Sequence, residues 1–227
     1  MSPDHLYKAL IDRDIELQDI IHPYSFKKGN LELRFDVIPA DKKLAEEPEN
    51  LLRNHLKPNT LYKKLEHCRQ TYDYILIDSP PNWRVFSQLA VYAADVVLIP
   101  TKHNNLFSLE NAATAIKKFI PEVQKAKADG SPISLPIFFN GEKITLPQLA
   151  VAQQEIKNII ETARKEKFDL LPYFYPKYTN AKKDLQVHQI PSYANIAGSM
   201  FSRIPAVYRD KFAHEYYKNL AKEYFLQ

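Results

Sequence analysis

At 227 residues with 45% hydrophobic content, the chain is long enough to bury a substantial core without disulfide or metal staples. Its one cysteine, Cys68, excludes an internal disulfide and Cys-rich zinc sites, and no stretch reaches the roughly 18 apolar residues of a membrane helix. A net charge of +4 is a mild basic excess, compatible with an anionic partner but far from a histone-like bias.

Leu31, Leu33, Phe35 and Val37 alternate with polar residues up to Pro39, which predicts a half-buried strand. With Thr60 as N-cap, Leu61, Tyr62, Leu65 and Cys68 recur at helical spacing and place Cys68 in the core. The run Thr71-Tyr72-Asp73-Tyr74-Ile75-Leu76-Ile77-Asp78-Ser79-Pro80-Pro81 then reads as a buried strand over Tyr74 to Ile77, delivering one carboxylate, Asp78, to its C-terminal end. A helical segment over 85–93 leads to the continuous apolar run Val96 to Pro100, which suits a parallel strand covered on both faces. Leu109, Ala112, Ala113, Ile116, Phe119 and Ile120 predict the next helix, and Ile133 to Phe139 a strand ending at Asn140-Gly141. Thr145 and Pro147 open a long helix, Leu170 to Tyr175 reads as a further strand, and a last helix from about Pro205 is expected to bury Phe212, Tyr216 and Leu220.

This alternation predicts one α/β domain over 1–227, in three layers, with a mostly parallel sheet and helices on both faces. Ligands of such sheets bind at the carboxyl ends of strands, where Asp78, Thr101, Asn140 and Pro176 fall.

A strand-end carboxylate beside phosphates is useful because a bound metal offsets the charge that develops in phosphoryl transfer. Taken alone, Asp78 reads as a strand-end aspartate that caps the following helix. The expected other half of a nucleotide site is a glycine-rich loop ending in Gly-Lys-Ser/Thr, yet none of Gly29, Gly130, Gly141 and Gly198 is followed by Lys-Ser or Lys-Thr. Basic residues cluster at Lys157, Arg164, Lys165 and Lys167 and again at Arg203, Arg209 and Lys211, with Glu161, Glu166 and Asp210 interspersed as on any solvated helix face. His22, His103, His188 and His214 show no metal-ligand spacing, and Trp83 reads as a packing residue ahead of a partner contact.

The chain resembles the ParA/Soj family of partition ATPases, within the deviant Walker group that includes MinD. The resemblance rests on Tyr72 to Pro81, Ala94 to Pro100, Leu109-Glu110, Tyr175-Pro176-Lys177 and Leu220-Ala221-Lys222-Glu223, together with the stretches Leu6 to Pro23 and Leu33 to Ala40. It implies a P-loop NTPase-like fold with ATP and Mg2+ as cofactors. Asp78 would hold magnesium and order the attacking water, Ser79-Pro80-Pro81 would begin a nucleotide-sensing switch, and Asn140, Pro176 and Lys177 would lie beside the base; on their own residues Pro80-Pro81 reads as a turn and Asn140 equally as an Asn-Gly turn residue. The resemblance further implies an ATP-driven homodimer and non-specific DNA binding at Arg164, Lys165, Lys167, Arg209 and Lys211 through salt-dependent phosphate contacts. A ParB-like or cargo-adaptor protein would stimulate hydrolysis, in a cytoplasmic, nucleoid-associated setting without a membrane.

The family's first strand, its Lys-Gly-Gly-x-Gly-Lys-Thr loop and its Asp-x-Asp-Pro-Gln segment would all precede Met1. The chain is therefore expected to be an N-terminally truncated relative, whether a fragment, a sequence with a misplaced start or a real truncation, and is not expected to hydrolyse ATP as it stands. Loss of a central strand would also expose the edges and apolar flanks of its neighbours. The alternative reading is a non-catalytic module that binds DNA or a partner protein, with DNA binding that ATP does not change.

Overall fold

The computed structural model describes residues 5–102, 104–141, 143–202 and 204–225. Two compact units emerge, Met1–Asp95 with Val123–Pro132, and Val96–Glu122 with Ile133–Gln227. The chain runs through α1 (His5–Ile11), a 3-10 turn at Leu17–Ile20, β1 (His22–Lys28), β2 (Leu31–Val37), α2 (Lys43–Glu46), α3 (Glu49–His55), α4 (Thr60–Lys64), α5 (Glu66–Thr71) and α6 (Val85–Ala93). It continues with β3 (Val96–Val97), β4 (Pro100–Thr101), α7 (Leu106–Thr114), a π turn at Ala115–Phe119, α8 (Ile120–Ala126), β5 (Ile133–Ser134) and β6 (Phe138–Asn140). The remainder is α9 (Leu146–Lys165), α10 (Leu171–Phe174), β7 (His188–Ile190), α11 (Ala194–Ser202), α12 (Ala206–Arg209) and α13 (Lys211–Tyr224).

In the first unit, β2 pairs antiparallel with β1 from His22 opposite Val37 to Lys28 opposite Leu31. Gly29, with φ +60°, is the first of the two turn residues, the position that a type II′ hairpin reserves for glycine. The expected strand is thus one arm of a hairpin, and its apolar face is only partly covered, with Tyr24, Phe26 and Phe35 forming a ring cluster and Phe35 exposed. Asp36 accepts a hydrogen bond from the Tyr72 hydroxyl at 2.6 Å, joining β2 to the end of α5. Two apolar clusters make the core, one around Leu10, Leu52, Leu56 and Leu89, the other around Ala9, Leu17, Leu65, Cys68 and Ala93. Cys68 is buried as expected, and burial pushes its thiol pKa up. Helix α4 begins at Thr60 itself rather than after it; the Thr60 hydroxyl accepts from the Lys57 amide at 2.9 Å. Buried Asp41 holds α1 and α2 together by accepting from the amides of Tyr7 (2.7 Å) and Leu44 (3.2 Å).

The run Tyr74 to Ile77 is not the buried strand that its composition predicts. It lies outside any strand ladder among the described residues, with Tyr74 71% and Leu76 85% exposed, while Tyr72 and Ile77 pack against the Cys68 cluster. Apolar β-branched residues favour a pleated, covered surface, but they form a strand only where a neighbour supplies the ladder.

In the second unit, β3 pairs parallel with β5, and β4, β6 and β7 form a parallel three-stranded sheet in that order. The two expected long strands, Val96 to Pro100 and Ile133 to Phe139, are each interrupted. Val96 pairs with Ile133 but Pro100 with Phe138, so the second strand carries one extra residue between the pairings. The Val97 carbonyl accepts from Leu135 and the Ile99 carbonyl from Phe138, while the intervening Pro136 has no amide to offer. This is a β-bulge, and the Ile137 amide turns away to the Tyr173 carbonyl at 2.9 Å.

Leu170 to Tyr175 contains the short helix α10 rather than a strand. Asp169 accepts from the Leu171 amide at 3.0 Å, and Pro172 sits in the first turn, where its missing N–H costs nothing. The long helix follows expectation: Thr145 and Gln148 form a reciprocal capping box, and Ala152, Ile156, Ile160 and Ala163 are buried. The last helix is divided at Asp210, which accepts from the Ala213 amide (2.8 Å), the Tyr193 hydroxyl (2.9 Å) and the Asn195 amide (2.7 Å). These hydrogen bonds, that of Ala213 foremost, hold the Asp210 carboxyl below its ordinary pKa. Capping at Asp210 sets the phase of α13, so Ala213 is buried and Phe212, expected in the core, is 60% exposed.

Candidate functional site

Asp78 stands at the end of the extended run, exposed, and its carboxylate makes no hydrogen bond or ion pair among the described residues. It does not cap α6. Arg84 precedes that helix, and the Val85 amide donates instead to Glu49 Oε1 at 3.2 Å. The Ser79-Pro80-Pro81 segment is tethered to α6 through the Ser87 hydroxyl, which donates to the Pro80 carbonyl at 2.8 Å.

Asn140 is the last residue of β6 and is exposed. The following Gly141, with φ +74°, donates its amide to the Ile190 carbonyl at 2.8 Å, so this peptide group closes the sheet end and is not free for a ligand. Pro176 and Lys177 are also exposed, and the Lys177 ammonium pairs with Glu223 at 3.0 Å. Both line a cavity of about 720 Å3 together with Leu135, Pro136, His188 and Tyr224. Leu135 and Pro136 precede β6, so this cavity lies at the amino end of the strand that carries Asn140 at its carboxyl end. Asn140 and Lys177 are therefore not brought together.

His188, which spacing alone did not single out, lines this cavity, and its Nε2 is buried without a hydrogen-bond partner. Burial, against the attraction of Glu223, pushes its pKa down. Its ring and that of Tyr224 form a T-shaped pair with centroids 6.0 Å apart. The Lys177–Glu223 pair joins residues 46 apart in sequence, a separation that no local pattern announces.

Arg164, Lys165 and Lys167 are exposed at the end of α9, with the Arg164 Nε 3.9 Å from Asp169. Arg209 and Lys211 are exposed on either side of Asp210. Arg203 and His103 lie outside the described residues.

The fit of these residues to a magnesium nucleotide is partial. Magnesium is usually held by one or two carboxylates and by phosphate oxygens rather than by an all-protein cage. A single unpaired Asp78 suits that role, and no group of three or more His, Cys, Asp or Glu able to hold a metal occurs among the described residues. The phosphate cradle does not fit: no Gly-Lys-Ser/Thr occurs in the 227 residues. No hydrolytic step follows from the groups present. Among the described residues, no helix is long and apolar enough to cross a membrane.

A family model described as an AAA domain matches residues 2–133. The chain is 35% identical over 97 residues to the sporulation initiation inhibitor protein Soj of Bacillus subtilis strain 168, a match covering 43% of this chain and 36% of Soj. It is 34% identical over 96 residues to the chromosome partitioning protein ParA of Myxococcus xanthus, covering 42% of this chain and 31% of that protein. The matched stretch thus spans about a third of the length of these relatives. In three dimensions the chain is similar to apo McdA of Cyanothece, with a TM-score of 0.64 and 19% identity over 97% of this chain and 79% of McdA. At that identity the likeness speaks for the fold, an α/β P-loop NTPase-like architecture with parallel strands and flanking helices.

Proposed function

We propose, on the premise that this chain belongs to the AAA domain family and within it to the ParA/Soj partition ATPases, that it acts in partitioning DNA or another cargo by binding DNA without sequence preference. In this reading Arg164, Lys165, Lys167, Arg209 and Lys211 contact phosphates, Asp78 serves magnesium, and Asn140, Pro176 and Lys177 are the candidate contacts to a base. ATP-driven homodimerisation and a ParB-like or cargo-adaptor partner complete the cycle, on the nucleoid in the cytoplasm. The observation that carries the reading is the Thr71 to Pro81 run, whose Asp78 carboxylate is exposed and makes no hydrogen bond or ion pair among the described residues. A carboxylate held in the open is one available to a ligand.

The chain as it stands is proposed not to turn over ATP, since no Gly-Lys-Ser/Thr loop occurs in the 227 residues to cradle a triphosphate. A second reading is favoured by the lack of a Gly-Lys-Ser/Thr loop in the 227 residues: a DNA- or partner-binding module whose binding nucleotide does not alter. Fluorescence anisotropy with duplex DNA, with and without ATP and magnesium, separates the two. Tighter binding with ATP supports the nucleotide-responsive reading, and salt-sensitive binding indifferent to ATP supports the module. No DNA binding at low salt overturns the DNA-binding reading and leaves a module that binds a partner protein.

A further inference from the structure

Pro176 and Lys177 apart, the walls of the cavity of about 720 Å3 take no part in the function proposed above. The charged groups of its lining are two carboxylates, Asp184 and Glu223, and one ammonium, Lys177, while burial keeps the His188 imidazole neutral at pH 7. One negative charge is left over. The Lys177 ammonium lies 3.0 and 3.1 Å from the two Glu223 oxygens. Asp184, half-buried, accepts the Gln186 amide at 3.0 Å and makes no ion pair among the described residues. The surplus charge therefore sits on Asp184.

The fold reinforces that charge. Helix α13 ends at Tyr224, so the negative end of its dipole is at the cavity wall. Tyr224 and Phe225 also supply aromatic carbon, whose faces attract organic cations. A metal ion does not suit the arrangement, since no group of three or more His, Cys, Asp or Glu able to hold one occurs among the described residues. An anion would meet an excess of like charge. What fits is an organic cation, and the chain already displays the chemistry, because Lys177 lays its own alkylammonium on Glu223. Leu135, Pro136, Pro176 and Val187 give apolar wall for the body that carries the charge.

We infer that this cavity binds a small organic ammonium, a primary amine on an aromatic or aliphatic body, with Asp184 as its counter-ion and the Lys177 ammonium as its competitor.

The test is saturation-transfer NMR of the 227-residue chain with phenethylammonium, with phenethyl alcohol and phenylacetate as neutral and anionic controls. Phenethylammonium should bind, and neither control should compete with it. Asp184→Asn, whose side chain still accepts the Gln186 amide, should weaken binding by about threefold, the scale of one partly exposed ion pair. Lys177→Gln should tighten it by a similar factor, and both variants should hold the thermal midpoint. Unchanged affinity in both variants would place the amine elsewhere and overturn the site. Equal binding of phenethyl alcohol would show an apolar cavity without recognition of charge, and tighter binding of phenylacetate the wrong sign; either result overturns the inference. Displacement of the amine by adenosine would give the cavity to a base and overturn it as well, while leaving the nucleotide reading above intact.

Discussion

The buried ammonium of Lys127 stands over the ring of Tyr62, 5.2 Å from its centroid, and the guanidinium of Arg69 approaches the same ring at 4.3 Å. Both cations serve one helix end. Lys127 Nζ donates to the carbonyls of Tyr92 (3.1 Å) and Ala94 (3.2 Å), and Arg69 donates to that of Ala93 between them. The last carbonyls of α6 would otherwise lack partners, and the negative end of the helix dipole favours cations there.

Replacing Lys127 by Met keeps the apolar stem and removes both donors. With carbonyls left unpaired in a buried setting, the expected loss is about 2 kcal/mol of unfolding free energy. Urea denaturation of Lys127→Met reads this directly, and an unchanged midpoint would show that water replaces the ammonium at no cost.

Asp78 has the opposite character. Because its carboxylate has no partner among the described residues, Asp78→Asn should leave stability within about 0.5 kcal/mol of the unmodified chain. The same variant should abolish any magnesium-dependent part of nucleotide binding, measured by titration with a fluorescent ATP analogue with and without the metal. A clear drop in stability would return Asp78 to a structural role.

Leu76 and Tyr74 present apolar surface on an extended run without a ladder among the described residues, the kind of edge that recruits other chains. Leu76→Lys is expected to lower self-association in light scattering across a concentration series while holding the thermal midpoint. A core leucine replaced in this way would instead cost several kcal/mol, so a collapse in stability would refute the exposed placement.

His188 makes stability depend on pH. Burial lowers its pKa in the folded chain below the ordinary 6.5, so the unfolded chain binds the proton more readily. The stability this provides is fully present above about 6.5 and is lost as pH falls through the lower folded value. Denaturation midpoints between pH 8 and pH 5 should fall for the unmodified chain and fall less for His188→Gln. Parallel curves would show that the imidazole is solvated after all.

Local signals were legible where neighbouring residues decide the outcome. The capping box of Thr145 and Gln148 and the apolar spacing of Ala152, Ile156 and Ile160 fix α9 without help from the rest of the chain. Tyr74 to Ile77 failed for the converse reason, since an apolar run states a need for cover and says nothing about whether a neighbour meets it. His188–Ile190 is too short to carry a period, and its pairing with Phe138–Asn140 is wholly non-local. Pro136 did carry a warning, because a proline inside a strand pattern marks an edge or a bulge. The site followed the same division: Asp78 could be singled out from its run, whereas the placement of Pro176 and Lys177 depended on whether 170–175 extends or coils. The Lys177–Glu223 pair lay beyond any sequence pattern.

The extra residue in the second unit has a consequence for how the chain is fastened. Freed from the ladder, Ile137 donates its amide to Tyr173 of α10 and accepts the Tyr224 hydroxyl of α13 at 3.1 Å. A single peptide step thus anchors both a short helix and the terminal one. The one-residue miscount against the neighbouring strand thus turns these two polar groups from the ladder to the helices.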